Sequence, residues 1–339
     1  MGQLDSFRGQ VTENGDLRFT FVDLFCGIGG FRIAAESFGW QCVYSCDIDK
    51  EVQHTYEANF GETPDGDIRQ VDEYSIPDHD VLFAGFPCQP FSIIGSMNGM
   101  SDTRGTLFYD IARILQAKRP SWFVLENVKQ LVGNDKGHTL ERILSITRSL
   151  GYVVDWRILN ALHFGLPQKR ERIYIVGSAQ NTTFEFPDGN YQMKPLAEIL
   201  EETIPTEYYA SRRIRLKRRS SHQSKYYPSI WHENKAGHIS SYPYSCALRA
   251  AASYNYLLVN GERRLTPREQ LRLQGFPDWF EPTGNDSETK KQTGNAVPVP
   301  VVEAVIRQII WAEESVKYET ENKETRPSHA ALSAEPISS

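Results

Sequence analysis

A doubly wound α/β fold around a largely parallel sheet is predicted for this 339-residue chain, with a second, smaller unit inserted late in the sequence. Three observations carry the prediction. Short apolar runs alternate with helix-period segments from Arg18 to about Ala179, the pattern of successive βαβ units. A glycine-rich turn follows the first of those runs. The alternation then stops after Gln180 and helical signals return only near the end.

The elements follow in order. Phe19–Phe25, Gln41–Asp47, Asp80–Gly85, Trp122–Glu126, Tyr152–Leu159 and Arg172–Gly177 read as strands. Between them, Gly30–Phe38, Glu51–Asn59, Thr106–Lys118 and Thr139–Leu150 place apolar residues three to four apart, the helix period. Residues 181–260 are polar, aromatic-rich and without clear period, and Pro267–Gln274 and Val297–Trp311 again read as helices. The expected division is a catalytic and cofactor-binding unit at 18–180 plus 288–315, an inserted unit at 181–287, and a disordered tail at 316–339.

Composition narrows the class. A 40% hydrophobic, 24% charged chain is globular, and its longest apolar runs fall short of the roughly 20 residues that span a bilayer. Five cysteines, at 26, 42, 46, 88 and 246, form neither a disulfide framework nor a CxxC zinc site, so a reducing compartment and no metal are expected. The net charge of −6 argues against affinity for nucleic acid over the whole surface.

Asp23–Phe31, DLFCGIGGF, ends a strand and opens a helix. Glycines at 27, 29 and 30 allow positive φ and close approach to a ligand, or simply a tight connection. Asp47, twenty residues past Gly27 at the end of the second strand, is placed to accept hydrogen bonds from a ribose. Arg32 occupies the third glycine position of a dinucleotide fingerprint, which disfavours a nicotinamide or flavin enzyme.

Gly85–Ser92, GFPCQPFS, puts Cys88 between two prolines at the C-terminal end of an apolar strand, where ligands bind in such folds. A thiol there reads as a nucleophile, whereas Cys26, Cys42, Cys46 and Cys246 read as small buried hydrophobes. Glu126, ending the next strand in LENV, emerges at the same edge, where burial would raise its pKa. In QKRERIY, a strand would put Gln168, Arg170 and Arg172 on one face; a solvated basic turn is the alternative. Ser211–Lys225 holds seven Lys or Arg and no acid. It fits a phosphate footprint through Arg212, Arg213, Arg215, Lys217, Arg218 and Arg219, or a solvated helical face.

Taken in order, DLFCGIGGF, GFPCQPFS, LENV, QKRERIYIVG, RRLTPREQLRLQGFPD and QTGNAVPVPV resemble the motif blocks of the C5-cytosine DNA methyltransferases, across about residues 19–180 and 262–312. The resemblance implies a Rossmann-like, S-adenosylmethionine-dependent methyltransferase domain with an inserted target recognition domain. It places Phe25, Gly27, Gly29 and Phe31 in the cofactor block, Asp47 on the ribose hydroxyls and Asp67 near the adenine amino group. Asn295 falls where the returning C-terminal segment completes the cleft. Cys88 matches the nucleophile, Glu126 the carboxyl at the pyrimidine N3 edge, and Arg170 and Arg172 the arginines around the base and loop. Asp47 stands where many members have Glu, Ile94 where a small residue often precedes the glycine (here Gly95), and Ala247-Leu248 where many have Thr-Leu.

The implied protein is a compact bacterial enzyme of the restriction-modification type. It would be a cytoplasmic monomer without a membrane or an obligate protein partner, acting on duplex DNA. Sequence choice is expected in residues 181–262. An RNA cytosine methyltransferase of the tRNA-modifying branch and a catalytically silent DNA-binding homologue are the alternatives; intact Cys88 and Glu126 oppose the second.

Overall fold

The computed structural model describes residues 10–11, 17–87, 107–179, 182 and 184–324. A six-stranded sheet is built from β1 (Thr20–Leu24), β2 (Gln41–Cys46), β3 (Val81–Gly85), β4 (Trp122–Val128), β5 (Val153–Asn160) and β6 (Glu171–Ser178). Their order is β2-β1-β3-β4-β6-β5. The first four are parallel, and β6 runs antiparallel to both its neighbours. Strands β1, β3, β4 and β6 are buried on both faces, which is why they read as unbroken apolar runs rather than alternating ones. Edge strand β5 alternates exposed and covered residues.

Alternate residues of these strands enter two cores. Phe21, Phe83, Val124 and Tyr174 point to the face covered by α1 (Gly30–Glu36) and by the C-terminal α8 (Val299–Glu324). Leu82, Phe123, Leu125 and Ile173 point to the face covered by α3 (Leu107–Lys118) and α4 (His138–Ser149). Helix α2 (Lys50–Phe60) follows β2 and is capped by Asp49, whose side chain accepts from the Glu51 N–H. Two bonds fasten α8, at its start and near its middle: Val299 N donates to Gln274 O at 2.9 Å, and Trp122 Nε1 donates to Glu313 Oε1 at 2.6 Å. The expected disorder from residue 316 is corrected here, because α8 continues to Glu324. Glu, Lys and other strong helix formers carry it past its apolar stripe.

The inserted unit is more regular than its sequence. It contains α5 (Arg212–Ser221) and an antiparallel sheet of β7 (Ile230–Glu233), β8 (Ile239–Tyr242) and β9 (Leu257–Val259) in the order β8-β7-β9. Its own core joins Leu196, Ile199, Ile230, Leu248, Leu257 and Leu265. The expected limits of 181 and 287 are wider than this core. Phe186, Phe276 and Phe280 belong to the main core instead. Helix α6 (Pro267–Leu273) is the joint, sending Leu271 into the main core and Leu273 into the inserted one. Helix α7 (Asp286–Asn295) then leads back to the catalytic sheet.

Candidate active site

The C-terminal ends of β1, β2, β3 and β4 form one edge, since Leu24 pairs with Cys46 and Ala84, and Gly85 pairs with Glu126. At strand spacings of roughly 4.8 Å, the ends of β2 and β4 are roughly 14 Å apart. Chain connections on this edge carry the predicted residues.

The glycine turn is under backbone strain. Phe25 is a non-glycine residue at φ 54°, and Gly27 and Gly29 take φ of 54° and 82°. At Gly29 a Cβ would also run into the Phe60 ring. Asp47 holds this turn: Oδ2 accepts from Gly27 N at 3.0 Å and Oδ1 from Asp49 N at 2.9 Å. Burial raises the Asp47 pKa, against the pull of those two N–H groups. Next to it Ile48 is 61% exposed, an apolar side chain left open at the rim of the cleft. Sequence reasoning passed over Ile48; an apolar residue just beyond a strand-end carboxylate was the available signal.

Asp67 caps a short turn and is gripped by Arg69, which holds its carboxyl below the usual range. Phe31 departs from expectation. Its ring is 2% exposed and stacks on Phe83 at 5.0 Å, so it supports the turn from the core instead of facing a ligand. The cradle therefore consists of Phe25, the positive-φ glycines, Asp47 and Ile48. It fits a nucleoside with a ribose diol: a carboxylate is fixed in place, an apolar surface adjoins it, and the backbone is bare of side chains.

At the other end of the edge, Glu126 is 6% exposed and its Oε1 lies 3.1 Å from Arg172 Nε. The angle is poor for a hydrogen bond, so the contact is an ion pair whose acceptor lone pairs stay available. Burial raises the Glu126 pKa, and Arg172 and then Arg170 oppose it. A carboxyl whose pKa is raised holds a proton more readily than a free one, which suits a general acid. Its neighbour Asn127 is fully buried and donates from Nδ2 to Phe86 O at 2.9 Å. That bond anchors the segment leading to Cys88. Cys88, with Ile94 and Gly95, lies outside the described residues. The other four thiols are free, and burial pushes each above the ordinary range, Cys42 and Cys46 to about 12.

Arg170 does not share a role with Arg172. It is fully buried, off the regular ladder, and donates to the carbonyls of Leu248, Gly294 and Ala296 at 2.7–3.1 Å. Its expected place around a target base is corrected: a buried guanidinium with both terminal nitrogens bound to backbone carbonyls is a positioning group. Gln168 works beside it, donating to Leu273 O at 2.8 Å and accepting from Leu248 N at 3.0 Å. A short parallel ladder, Ser245–Cys246 on Gln168–Lys169, completes the seam between insert and sheet. Asn295 is exposed at the end of α7, directly after the Gly294 that Arg170 clamps.

The basic run is a helix, α5, because the Ser211 side chain accepts from Ile214 N. Arg218 is 1% exposed, donating to Trp231 O at 3.2 Å and Glu233 Oε2 at 3.0 Å. It is therefore withdrawn from the expected phosphate contacts, being the buried anchor of the helix. Lys217 pairs with Glu233 and Arg219 with Glu262. Arg215 lies over the Tyr209 ring, and Arg212 and Arg213 are exposed.

Comparison with known proteins agrees with this geometry. The family model for C-5 cytosine-specific DNA methylase matches residues 19–311. The type II methyltransferase M.NgoBI of Neisseria gonorrhoeae is 54% identical over 84% of this chain and 90% of its own. M.HaeII of Haemophilus aegyptius is 52% identical over 85% and 92%. Among solved structures, a mutant DNMT2 from Spodoptera frugiperda matches with a TM-score of 0.68 at 20% identity, over 86% of this chain and 99% of that one, a likeness of fold. The strained glycine turn, the buried carboxyl beside Arg172 and the match along 19–311 agree: this chain belongs to the C-5 cytosine-specific DNA methylase family.

Proposed function

We propose that the protein methylates C5 of one cytosine within a specific duplex DNA sequence, as the protective enzyme of a bacterial restriction-modification system. It works as a cytoplasmic monomer without an obligate protein partner. The observation that carries the reading is Glu126, buried and ion-paired to Arg172 at the end of β4, beside the end of β3, whose chain continues toward Cys88 in the sequence.

Cytosine C5 is too weak a nucleophile to be alkylated directly. Addition of the Cys88 thiolate to C6 forms a C–S bond and gives C5 enamine character. Glu126, sharing a proton with N3, stabilises the charge that develops on the ring, and Arg172 keeps the carboxyl in place. The Phe25–Gly29 turn and Asp47 would hold S-adenosylmethionine, which would supply the methyl group that C5 takes up as the methyl–sulfonium bond breaks. Loss of the C5 proton and departure of the thiolate then restore the aromatic base. Because C6 is stacked inside a duplex, the base must first swing out, at a cost of a few kcal/mol. Sequence choice resides in the insert, residues 181–262, with Arg212 and Arg213 available for phosphates.

The test is covalent capture. Duplex carrying 5-fluorocytosine at the target, with S-adenosylmethionine, should trap the wild type as a denaturant-stable adduct, since fluorine does not leave as a cation. Cys88→Ser should bind duplex without forming the adduct. Methylation of tRNA in place of duplex DNA, or turnover by Cys88→Ser, would overturn the reading.

A further inference from the structure

Half of the six cations of α5 are spent: Lys217 and Arg218 face Glu233, and Arg219 faces Glu262. A second group of cations is not. Arg249, Arg264 and Lys290 form no ion pair among the described residues, although they crowd around two tyrosine rings. The Arg264 guanidinium lies 4.6 Å from the Tyr254 ring centre and Lys290 Nζ 5.6 Å from the same ring. The Arg249 guanidinium lies 4.9 Å from the Tyr256 ring centre. The carboxylate in this neighbourhood, Asp286, accepts from the Tyr208 hydroxyl at 2.9 Å. Burial and then the charge of Arg249 pull the Lys290 amine below the usual lysine range. Aromatic faces offset part of this crowding, but like charges held together remain unfavourable until an anion joins them.

The position of the group is fixed by the seam to the catalytic sheet. Leu248, just before Arg249, is held through its N–H by Gln168 and through its carbonyl by Arg170. Gly294 packs so tightly there that a Cβ would fall within the backbone of Arg249 and Ala250. Lys290, on the same helix as Gly294, donates to Ala252 O. Arg249 therefore follows directly on the residue that Arg170 holds, and Arg170 stands two positions before Arg172 in the chain. The pocket among Tyr254, Tyr256, Arg264 and Lys290 is small, about 40 Å³, and half open, with room for water beside the cations.

We propose that Arg249, Arg264 and Lys290 form an edge that grips the phosphate backbone of duplex DNA beside the cleft. This rests on the methyltransferase reading and gives it a docking surface that the paired cations of α5 do not supply. Phosphate contacts of this kind fix register and orientation on the duplex without reading sequence.

The experiment is the salt dependence of duplex affinity for the full chain. Arg249→Gln/Lys290→Gln should lower the slope of log K against log salt by about 0.9 per lost contact, about 1.8 in all. Arg264 is left intact because it also holds the Glu207 carbonyl. Lys217→Gln/Arg219→Gln should leave the slope near the wild-type value. The charge-conserving Arg249→Lys/Lys290→Arg should keep the slope as well. An unchanged slope in the neutral pair, or an equal loss in the charge-conserving pair, overturns the proposal. Bisulfite sequencing of duplex treated with the wild type reads the methylation separately. A failed edge and a failed activity are thus distinct results.

Discussion

Glu126 and Arg172 meet diagonally across an antiparallel pair of strands. Glu126 is opposite Tyr174 and Arg172 opposite Val128, so the two side chains share a face two residues apart, and Arg172 Nε closes to 3.1 Å from the carboxyl. This register bears on the acidity of Glu126, since Arg172 is the largest influence opposing the effect of its burial. Removing the cation should raise the Glu126 pKa further, because burial would then act with Arg170 alone against it. In Arg172→Gln, the limb of the pH–rate profile that reports Glu126 should move to higher pH. A limb that stays in place would mean that the pair does not govern the titration.

Glu126→Gln keeps the shape and removes the proton site. It should lower kcat by about 10²–10⁴-fold, the range for a positioned acid or base. S-adenosylmethionine affinity, measured by calorimetry, should hold, since the cofactor cradle lies at β1 and β2.

Asp47→Ala takes away the acceptor of two backbone N–H groups and, on the proposed reading, a ribose contact. Cofactor affinity should weaken by about 1–3 kcal/mol. Duplex affinity without cofactor should be unaffected. Equal cofactor affinity in the variant would leave Asp47 only its structural bonds.

Asn127→Ala frees Phe86 O in a buried place, a loss of about 1–3 kcal/mol of stability. Because that bond anchors the approach to Cys88, single-turnover methyl transfer should slow more than duplex binding weakens. A variant that is destabilised but transfers at the wild-type rate would confine Asn127 to structure.

His79 is a built-in acid sensitivity. It is 3% exposed, its Nδ1 lies 2.8 Å from Pro77 O, and burial lowers its pKa to about 4. The unfolded chain, with histidine near 6.5, binds the proton more readily than the folded one. Stability from this residue is therefore complete above about pH 6.5 and is lost as pH falls toward 4, by at most about 3 kcal/mol. Urea midpoints of His79→Asn should fall less than those of the wild type between pH 7 and 5.

The sheet was legible because its four central strands are apolar on both faces, and Glu126 stood out as a carboxyl at the end of such a run. Helices α5 and α7 were not legible, for a physical reason: what they bury is polar. Helix α5 buries Arg218, and α7 buries Thr289, Gln292 and Thr293, so neither carries an apolar stripe. Caps at Ser211 and Asn285 were the readable signs. Arg170 and Arg172 are alike in sequence and differ because only one is surrounded by carbonyls from segments far along the chain. Spacing alone cannot show that.

The packing of α8 on α1 has a consequence for how the protein is made. Helix α1 carries the glycine turn at its start, and Gly30 leaves so little room that a Cβ would lie 2.7 Å from Val297 Cγ2. The flank of the first helix is thus closed by Val297, just before α8, which the ribosome delivers long after the turn itself. A nascent chain can lay down four parallel strands early, yet its methyl-donor cradle keeps an open side until α8 has emerged. Synthesis order withholds function from partial chains.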